Sequence, residues 1–169
     1  MSETYKNIMA LLALIAVGIG FYYIFTNSPE QKVKRIAVDY YKAMMDQDYE
    51  EAFELLYKYD EKTPTEGTVL KEEEAKSFYL EKINKLKEYH YKLKDYDIIN
   101  IRKEDGHTSF AEMILTFEVD GQEHEVSETI DEWNGKAWII ESEDPFVNFR
   151  NGKMGFDLEN AEPEFYFMD

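Results

Sequence analysis

Hydrophobic and polar positions divide the chain into an apolar run, a helical part and a part with the two-residue period of strands. The apolar run is 18 residues long, covers residues 8–25 and holds no charged side chain. At a rise of 1.5 Å per residue, a helix of that length just spans the hydrocarbon of a bilayer. A cleaved signal peptide would have a shorter apolar core and a small-residue exit, which the residues before Pro29 do not supply. We therefore predict an uncleaved transmembrane anchor at about 8–25, within a first unit of residues 1–28.

Helical spacing follows that run. Ser28 and Pro29 are typical of a helix start, with a capping serine and proline at the first helical position. The apolar period slips at 46–48 and then resumes, which predicts one helix that bends into a shorter one. A further helix is predicted at about 71–89, with Lys82 on its charged, solvated face.

The period then changes from helical to alternating. Two Asp-Gly pairs and one Asn-Gly pair punctuate this part, and each is a favoured two-residue hairpin turn. They predict four antiparallel strands, near 93–104, 108–119, 123–132 and 136–141. Helices followed by such a meander indicate an α+β fold, with helices packed on one side of a curved antiparallel sheet.

The turns also predict which side chains face one another across the strands. If each turn holds two residues, Phe117 faces His124 and Met113 faces Glu128, while Glu128 also faces Glu141 across the last hairpin. The other predicted facing pairs are Leu115 with Val126, Ala111 with Ile130, and Ile130 with Ile139. We therefore expect His124, Glu128 and Glu141 to line a cavity under the helices.

Two carboxylates in an apolar cavity would raise each other's proton affinity, as a general acid or base requires. Glu128, Glu141 and His124 are thus the catalytic candidates. The alternative is that they are solvated charges, because a shift of one residue in register moves every side chain to the other face. The chain has no cysteine and no phosphate-loop, zinc-helix or calcium-loop motif, so we predict neither a metal site nor a cofactor.

The sequence at 36–56 (IAVDYYKAMMDQDYEEAFELL) and the hairpin at 131–141 (DEWNGKAWIIE) resemble the nuclear transport factor 2-like superfamily. Over 29–141 the chain is most similar to its membrane-anchored bacterial members. The resemblance implies a cone-like domain over 29–141. Residues 142–169 mix aromatic and acidic side chains without a clear period, and we interpret them as a C-terminal extension. The superfamily includes isomerase-like and cyclase-like enzymes and also non-enzymatic binding modules, so the fold does not decide the function.

Aromatic residues supply the candidates for binding. Trp138 lies on the predicted outer face of the sheet, where it is a core or interface residue. Tyr40 is the proton donor that an enzyme of this superfamily would use beside a carboxylate base. Phe165, Tyr166 and Phe167 stand among acidic residues, and they either dock on their own domain or reach another protein.

Charge narrows the classes of partner. The 169 residues carry 19 Lys and Arg against 36 Asp and Glu, a net charge of -17, and this excludes binding to nucleic acid phosphates. We expect a single-pass protein of the cell membrane with its domain outside the cytoplasm. We interpret it as a non-enzymatic binding or assembly module for a protein partner, a second copy or a small apolar ligand. An isomerase- or cyclase-like enzyme that uses a cavity carboxylate as its base is the alternative.

Overall fold

Two helices with a short break between them begin the domain. Helix α1 (Pro29–Met45) starts as predicted, since the Oγ of Ser28 accepts a hydrogen bond from the N–H of Gln31 at 3.4 Å. Helix α2 (Tyr49–Leu55) follows directly, so the predicted bend is confirmed. The structure, a computed structural model, describes Met9, Leu12, residues 14–20, Tyr22, Thr26, residues 28–104 and residues 108–164.

Helix α3 (Glu72–Glu88) lies where the apolar spacing predicted it. The prediction that Lys82 lies on its solvated face is wrong, because this side chain is fully buried. The Nζ of Lys82 donates to the backbone oxygens of Asn151 and Lys153, at 2.6 and 2.9 Å. It also donates to the Oδ1 of Asn151 at 3.2 Å. A buried ammonium needs such partners, and these three oxygens join α3 to a later segment of the chain.

Four strands form an antiparallel sheet in the order in which they occur along the chain. After the two-residue strand β1 (Tyr59–Asp60), they are β2 (Lys92–Glu104), β3 (Thr108–Val119), β4 (Gln122–Trp133) and β5 (Lys136–Ser142). Helix α1 packs across all four. The domain is therefore α+β, as predicted.

The register between β3 and β4 is the one that the turn predicted. Phe117 pairs with His124 and Met113 with Glu128, because Asp120 and Gly121 form a two-residue turn with φ of 50° and 81°. Both residues of such a turn have positive φ. The remaining predicted pairs of this hairpin, Leu115 with Val126 and Ala111 with Ile130, are confirmed as well.

The register between β4 and β5 changes halfway along the hairpin. Ile130 pairs with Ile139 as predicted, but Thr129 pairs with Glu141 and Glu128 with Ser142. One residue of β5, Ile140, is therefore extra and forms a β-bulge. The prediction that Glu128 faces Glu141 is wrong for this reason.

Residues 142–164 pack onto the domain. A 3₁₀ turn (Val147–Phe149) and strand β6 (Lys153–Met154) lie here, and β6 pairs in parallel with β1. Several side chains of this segment are buried in the core: Phe146, Phe149, Arg150 and Met154. The segment predicted as an extension thus supplies part of the core.

No helix in the described ranges is long and apolar enough to cross a membrane. The transmembrane helix predicted at about 8–25, which was part of the predicted fold class and the basis of the signal-anchor assignment, is therefore wrong. An apolar run of 18 residues stands at the lower limit of the roughly 20 that a span needs, so its composition left no margin. Residues 14–20 are helical, and part of the run, Ile8 and Phe25 among it, lies outside the described residues.

Candidate binding cleft

Glu128, the carboxylate that the sequence favoured as a base, lies in a buried network of charges. Its two oxygens accept from the Nη1 and Nη2 of Arg150, at 3.0 and 2.5 Å. The hydroxyl of Tyr41 donates to the same carboxylate. The Nε of Arg150 donates to the Oδ2 of Asp144 at 2.7 Å, and the hydroxyl of Tyr91 donates to that oxygen at 2.9 Å. The network joins β4, α1 and the segment after β5.

The network is closed to a substrate. The side chains of Glu128, Arg150 and Asp144 are 0% exposed, and each oxygen of Glu128 already has a donor. Burial opposes the charge on Arg150, but Glu128 beside it raises the pKa of the guanidinium well above its ordinary value. Burial and the charge of Glu128 also raise the pKa of Tyr41. A general base must reach the proton it removes, whereas the buried carboxylate of Glu128 is paired with Arg150 and Tyr41.

The other catalytic candidates lie elsewhere. His124 stacks on Phe117 with 5.4 Å between the ring centroids, and Glu141 is exposed on β5. The hydroxyl of Tyr40 donates to the backbone oxygen of Arg150 at 2.8 Å, inside the core. Glu128 and Glu141, which were expected to share one cavity, are thus separated, since Glu128 is buried and Glu141 is exposed and pairs with Thr129. Within the described residues, no group of three or more His, Asp or Glu side chains is placed to hold a metal ion.

An open cleft of about 480 Å³ runs along the outer edge of β5. The segment at Leu56 and Tyr57 pairs with β5 only at Ala137, and within the described residues the rest of this edge is left without a partner strand. The N–H of Tyr57 donates to the oxygen of Ala137 at 2.9 Å, but the N–H of Tyr59 donates to the oxygen of Gly152 instead. Strands β1 and β6 form a separate parallel pair, and the cleft lies between this pair and β5. Beyond Ala137, no described strand pairs with the outer edge of β5.

The backbones of Gly152 and Tyr57 are in close contact on the side of the cleft that faces β5. A Cβ on Gly152 would lie 1.8 Å from the backbone oxygen of Tyr57 and 2.8 Å from its carbonyl carbon. Only glycine can occupy that position without moving the chain. The residues next to Gly152 are also fixed by hydrogen bonds: Arg150 donates to Glu128, and the backbone oxygen of Asn151 accepts from Lys82.

The lining of the cleft combines apolar and polar groups. The apolar part is formed by Tyr59, Trp138, Ile139, Ile140 and Val147. The polar part is formed by Glu61, Glu141, Asn148, Asn151 and Lys153. The Nζ of Lys153 pairs with Glu61 at 2.8 Å. Apolar surface with a few amides and an unpaired strand edge suits an extended polypeptide.

Trp138 belongs to an aromatic cluster at this cleft. Its ring lies 5.7 Å from Tyr57, 6.0 Å from Tyr59 and 5.5 Å from Trp133, centroid to centroid. Burial raises the pKa of Tyr59, and a hydrogen bond with Trp138 acts in the opposite sense. Trp138 therefore packs against neighbours and also contributes to the lining.

Sequence patterns did not identify Arg150 or Asp144, which complete the charge network. Both lie in a segment with no period, so no face could be assigned to them. A signal was present: Glu128 was placed on an apolar face, and a buried carboxylate requires a cationic partner. Arg150 directly follows Phe149 in the apolar run PFVNFR, where such a partner would be sought.

Phe165, Tyr166 and Phe167, the other predicted binding residues, lie outside the described residues. Glu164, which precedes them, is fixed next to the cleft. Its N–H donates to the oxygen of Pro145 and its Oε1 accepts from the Nδ2 of Asn148, both at 2.9 Å. Comparison of the chain with protein-family models, with curated proteins and with solved structures finds no match in any of the three.

Proposed function

We propose that this protein is a non-enzymatic binding module that holds an extended polypeptide along the outer edge of β5. One observation carries the proposal: beyond Ala137 this edge has no partner strand in the described structure, and it faces a cleft of about 480 Å³. A peptide that adds as a strand would make backbone hydrogen bonds to the edge and place alternate side chains in the cleft.

The chemistry of the lining supports an uncharged or basic peptide with large apolar side chains. Trp138 and Ile140 are half-buried and offer apolar surface, which contributes roughly 25 cal/mol per Å² when it is covered. Glu61 is paired with Lys153, so Glu141 carries the net negative charge of the lining, and the whole chain carries a net charge of -17. An acidic peptide would meet repulsion that salt screens only in part.

We also propose the kinship with the nuclear transport factor 2-like superfamily that the sequence resemblance implied. Its support is the order of elements, with helices first and a four-stranded antiparallel meander after them. In this protein the space between α1 and the sheet is filled by Tyr40, Tyr41 and the network of Arg150. The proposed binding site therefore lies at the edge of the sheet and not beneath the helices.

Titration with short peptides tests the binding function. The probe is an end-blocked hexapeptide of alternating threonine and tyrosine. Its binding is measured by the fluorescence of the protein's tryptophans and by calorimetry. It is added to the full chain and to the full chain with Phe165, Tyr166 and Phe167 replaced by serine, so that these neighbours cannot compete. We expect binding to at least one of the two chains, and loss of binding when alternate peptide nitrogens are methylated.

Two substitutions to the same residue locate the site. Ile140→Glu places a charge on the cleft and should weaken binding at least about tenfold. The matched control, Ile99→Glu, lies on β2 at the opposite side of the sheet, where Ile99 is 60% exposed, and it should leave the affinity unchanged. Equal binding of the methylated peptide, or no binding by either chain at about 1 mM peptide, would show that the proposal is wrong.

A further inference from the structure

We infer that the peptide held by the cleft is the chain's own aromatic segment, residues 165–168, bound in cis. This inference rests on the proposed function, because it names the occupant of the same site. Its starting point is Glu164, which hydrogen bonds to the Pro145 oxygen and to the side chain of Asn148. Asn148 itself lines the cleft, so the aromatic segment begins at the rim.

Direction and length agree with strand addition. Pro145 and Asn148 follow the end of β5, so a chain that enters the cleft from Glu164 runs from Ser142 back towards Trp138. This is antiparallel to β5. Four residues in extended form cover about 13 Å, which matches the stretch of four to five residues that β5 leaves without a partner.

The chemistry of the segment also fits the lining. Its residues are Phe165, Tyr166, Phe167 and Met168, and none carries a charge. Alternate side chains of an extended strand point to opposite sides, so one of its two sets meets Trp138 and Ile140. The acidic residue Glu164 stays at the rim, where its carboxylate accepts from the side chain of Asn148.

Binding in cis has a measurable consequence for any peptide added from solution. A segment tethered by a short connection competes at an effective concentration on the order of 1 mM. If the free segment binds with a Kd of about 0.1 mM, the tethered segment lowers the apparent affinity of an added peptide by about tenfold. Removal of the aromatic side chains should restore the full affinity.

The experiment compares three forms of the full chain. The first is unchanged, the second carries F165S, Y166S and F167S, and the control carries Glu159→Ser and Glu162→Ser, which lie upstream of the segment. The probes are the threonine–tyrosine hexapeptide and an end-blocked peptide of residues 164–168. We expect the triple variant to bind both probes about tenfold more tightly than the other two forms, and Ile140→Glu in the triple variant to abolish the gain. Hydrogen exchange at the amides of residues 139–142 should be slower in the unchanged chain than in the triple variant.

Each other outcome overturns the inference in a recognisable way. If the hexapeptide binds the unchanged chain and the triple variant equally, the segment is not the occupant, although the cleft still binds peptides. If neither form binds a probe, the binding function fails with it. If sedimentation shows a dimer that the triple variant loses, the segment occupies the cleft of a second copy, which refutes binding in cis.

Discussion

The two outer edges of the sheet differ in how they meet solvent. The edge strand β2 carries exposed charges and two register shifts, near Leu93 and near Ile98. Its exposed charged side chains include Lys92, Lys94, Asp95, Asp97, Arg102 and Lys103. The edge strand β5 instead presents Trp138 and Ile140 to a cleft. Both edge strands contain a bulge, at Ile140 in β5, so the difference lies in the side chains. Exposed charges are a usual means of keeping an edge from pairing, and β2 is therefore the better protected edge.

The two edges also differ in the surroundings of their basic residues. The wall opposite β5 is held by two buried cations, Arg150 in the charge network and Lys82 on backbone oxygens. The cations at the β2 edge form exposed pairs, such as Arg102 with Glu112 at 3.6 Å and Lys94 with Glu118 at 3.1 Å. The same residue types should therefore have different energetic roles at the two edges.

The largest expected effect is that of Arg150→Met. It leaves Glu128 and Asp144 buried without their cation, which should cost about 3–5 kcal/mol in the free energy of unfolding. Arg102→Met, the control at the other edge, should cost at most about 1 kcal/mol. Urea unfolding at neutral pH measures both.

A second variant distinguishes charge from packing at this site. Glu128→Gln combined with Arg150→Met removes a carboxylate together with the guanidinium, and it should be less damaging than Arg150→Met alone. If Arg150→Met costs no more than Arg102→Met, the wall of the cleft does not depend on the network, and the contrast between the edges fails.

A middle effect concerns Lys82 and pH. Burial, with Lys153 and Arg150 nearby, holds the pKa of Lys82 well below its ordinary 10.5. The unfolded chain therefore binds this proton more tightly than the folded protein does, so the stability contributed at this site rises as pH increases towards 10.5. We expect the free energy of unfolding of the unchanged protein to rise with pH relative to that of Lys82→Met.

The comparison with a variant is needed because tyrosines act in the opposite sense. Burial raises the pKa of Tyr41 and Tyr91, so their contribution to stability is present below pH 10 and is lost above it. The tyrosine contribution is the same in the unchanged protein and in Lys82→Met, so it cancels when their free energies of unfolding are subtracted. Lys94→Met at the β2 edge is the matched control for the loss of a lysine at an exposed site. A flat difference for Lys82→Met would contradict the assignment.

The smallest expected effect is that of Trp133→Phe beside the β5 edge. In the described structure the buried Nε1 of Trp133 has no hydrogen-bond partner, so its removal relieves a desolvation cost that offsets the lost contacts. The free energy of unfolding should change by no more than about 1 kcal/mol. Trp138 then remains as the single tryptophan and reports on the cleft by fluorescence. A loss above about 2 kcal/mol would show that the indole N–H is paired.

Local chemistry in the sequence was enough to predict most of the sheet. The Asp-Gly turn at 120–121 determined every predicted pair between β3 and β4. The Asn-Gly turn at 134–135 determined the pair of Ile130 and Ile139. The register failed one residue later, at the bulge of Ile140. A bulge depends on how an edge strand meets the segments packed around it, and the alternating pattern of β5 contains no trace of that contact.

The candidate site was the harder part. Trp138 was recognised as a residue of the outer face, but the cleft beside it depends on Leu56 leaving β5 after one bridge. Lys82 was assigned to solvent because its helix carries many charged side chains of both signs. Its three oxygen partners lie about 70 residues further along the chain. Partners this distant in sequence leave no periodic signal. The apolar run at 8–25 was misread for the converse reason, since composition alone does not make a helix that crosses a membrane.

The close contact at Gly152 has a consequence for recognising relatives of this chain. Three consecutive residues, Arg150, Asn151 and Gly152, each meet a different requirement: a cation for two carboxylates, oxygens for a buried lysine, and the absence of a Cβ beneath Tyr57. Few substitutions satisfy any one of these, and fewer satisfy all three. A short Arg-Asn-Gly signature downstream of a Trp-bearing hairpin, paired with a lysine on the preceding helix, is therefore a sharper search pattern than overall similarity.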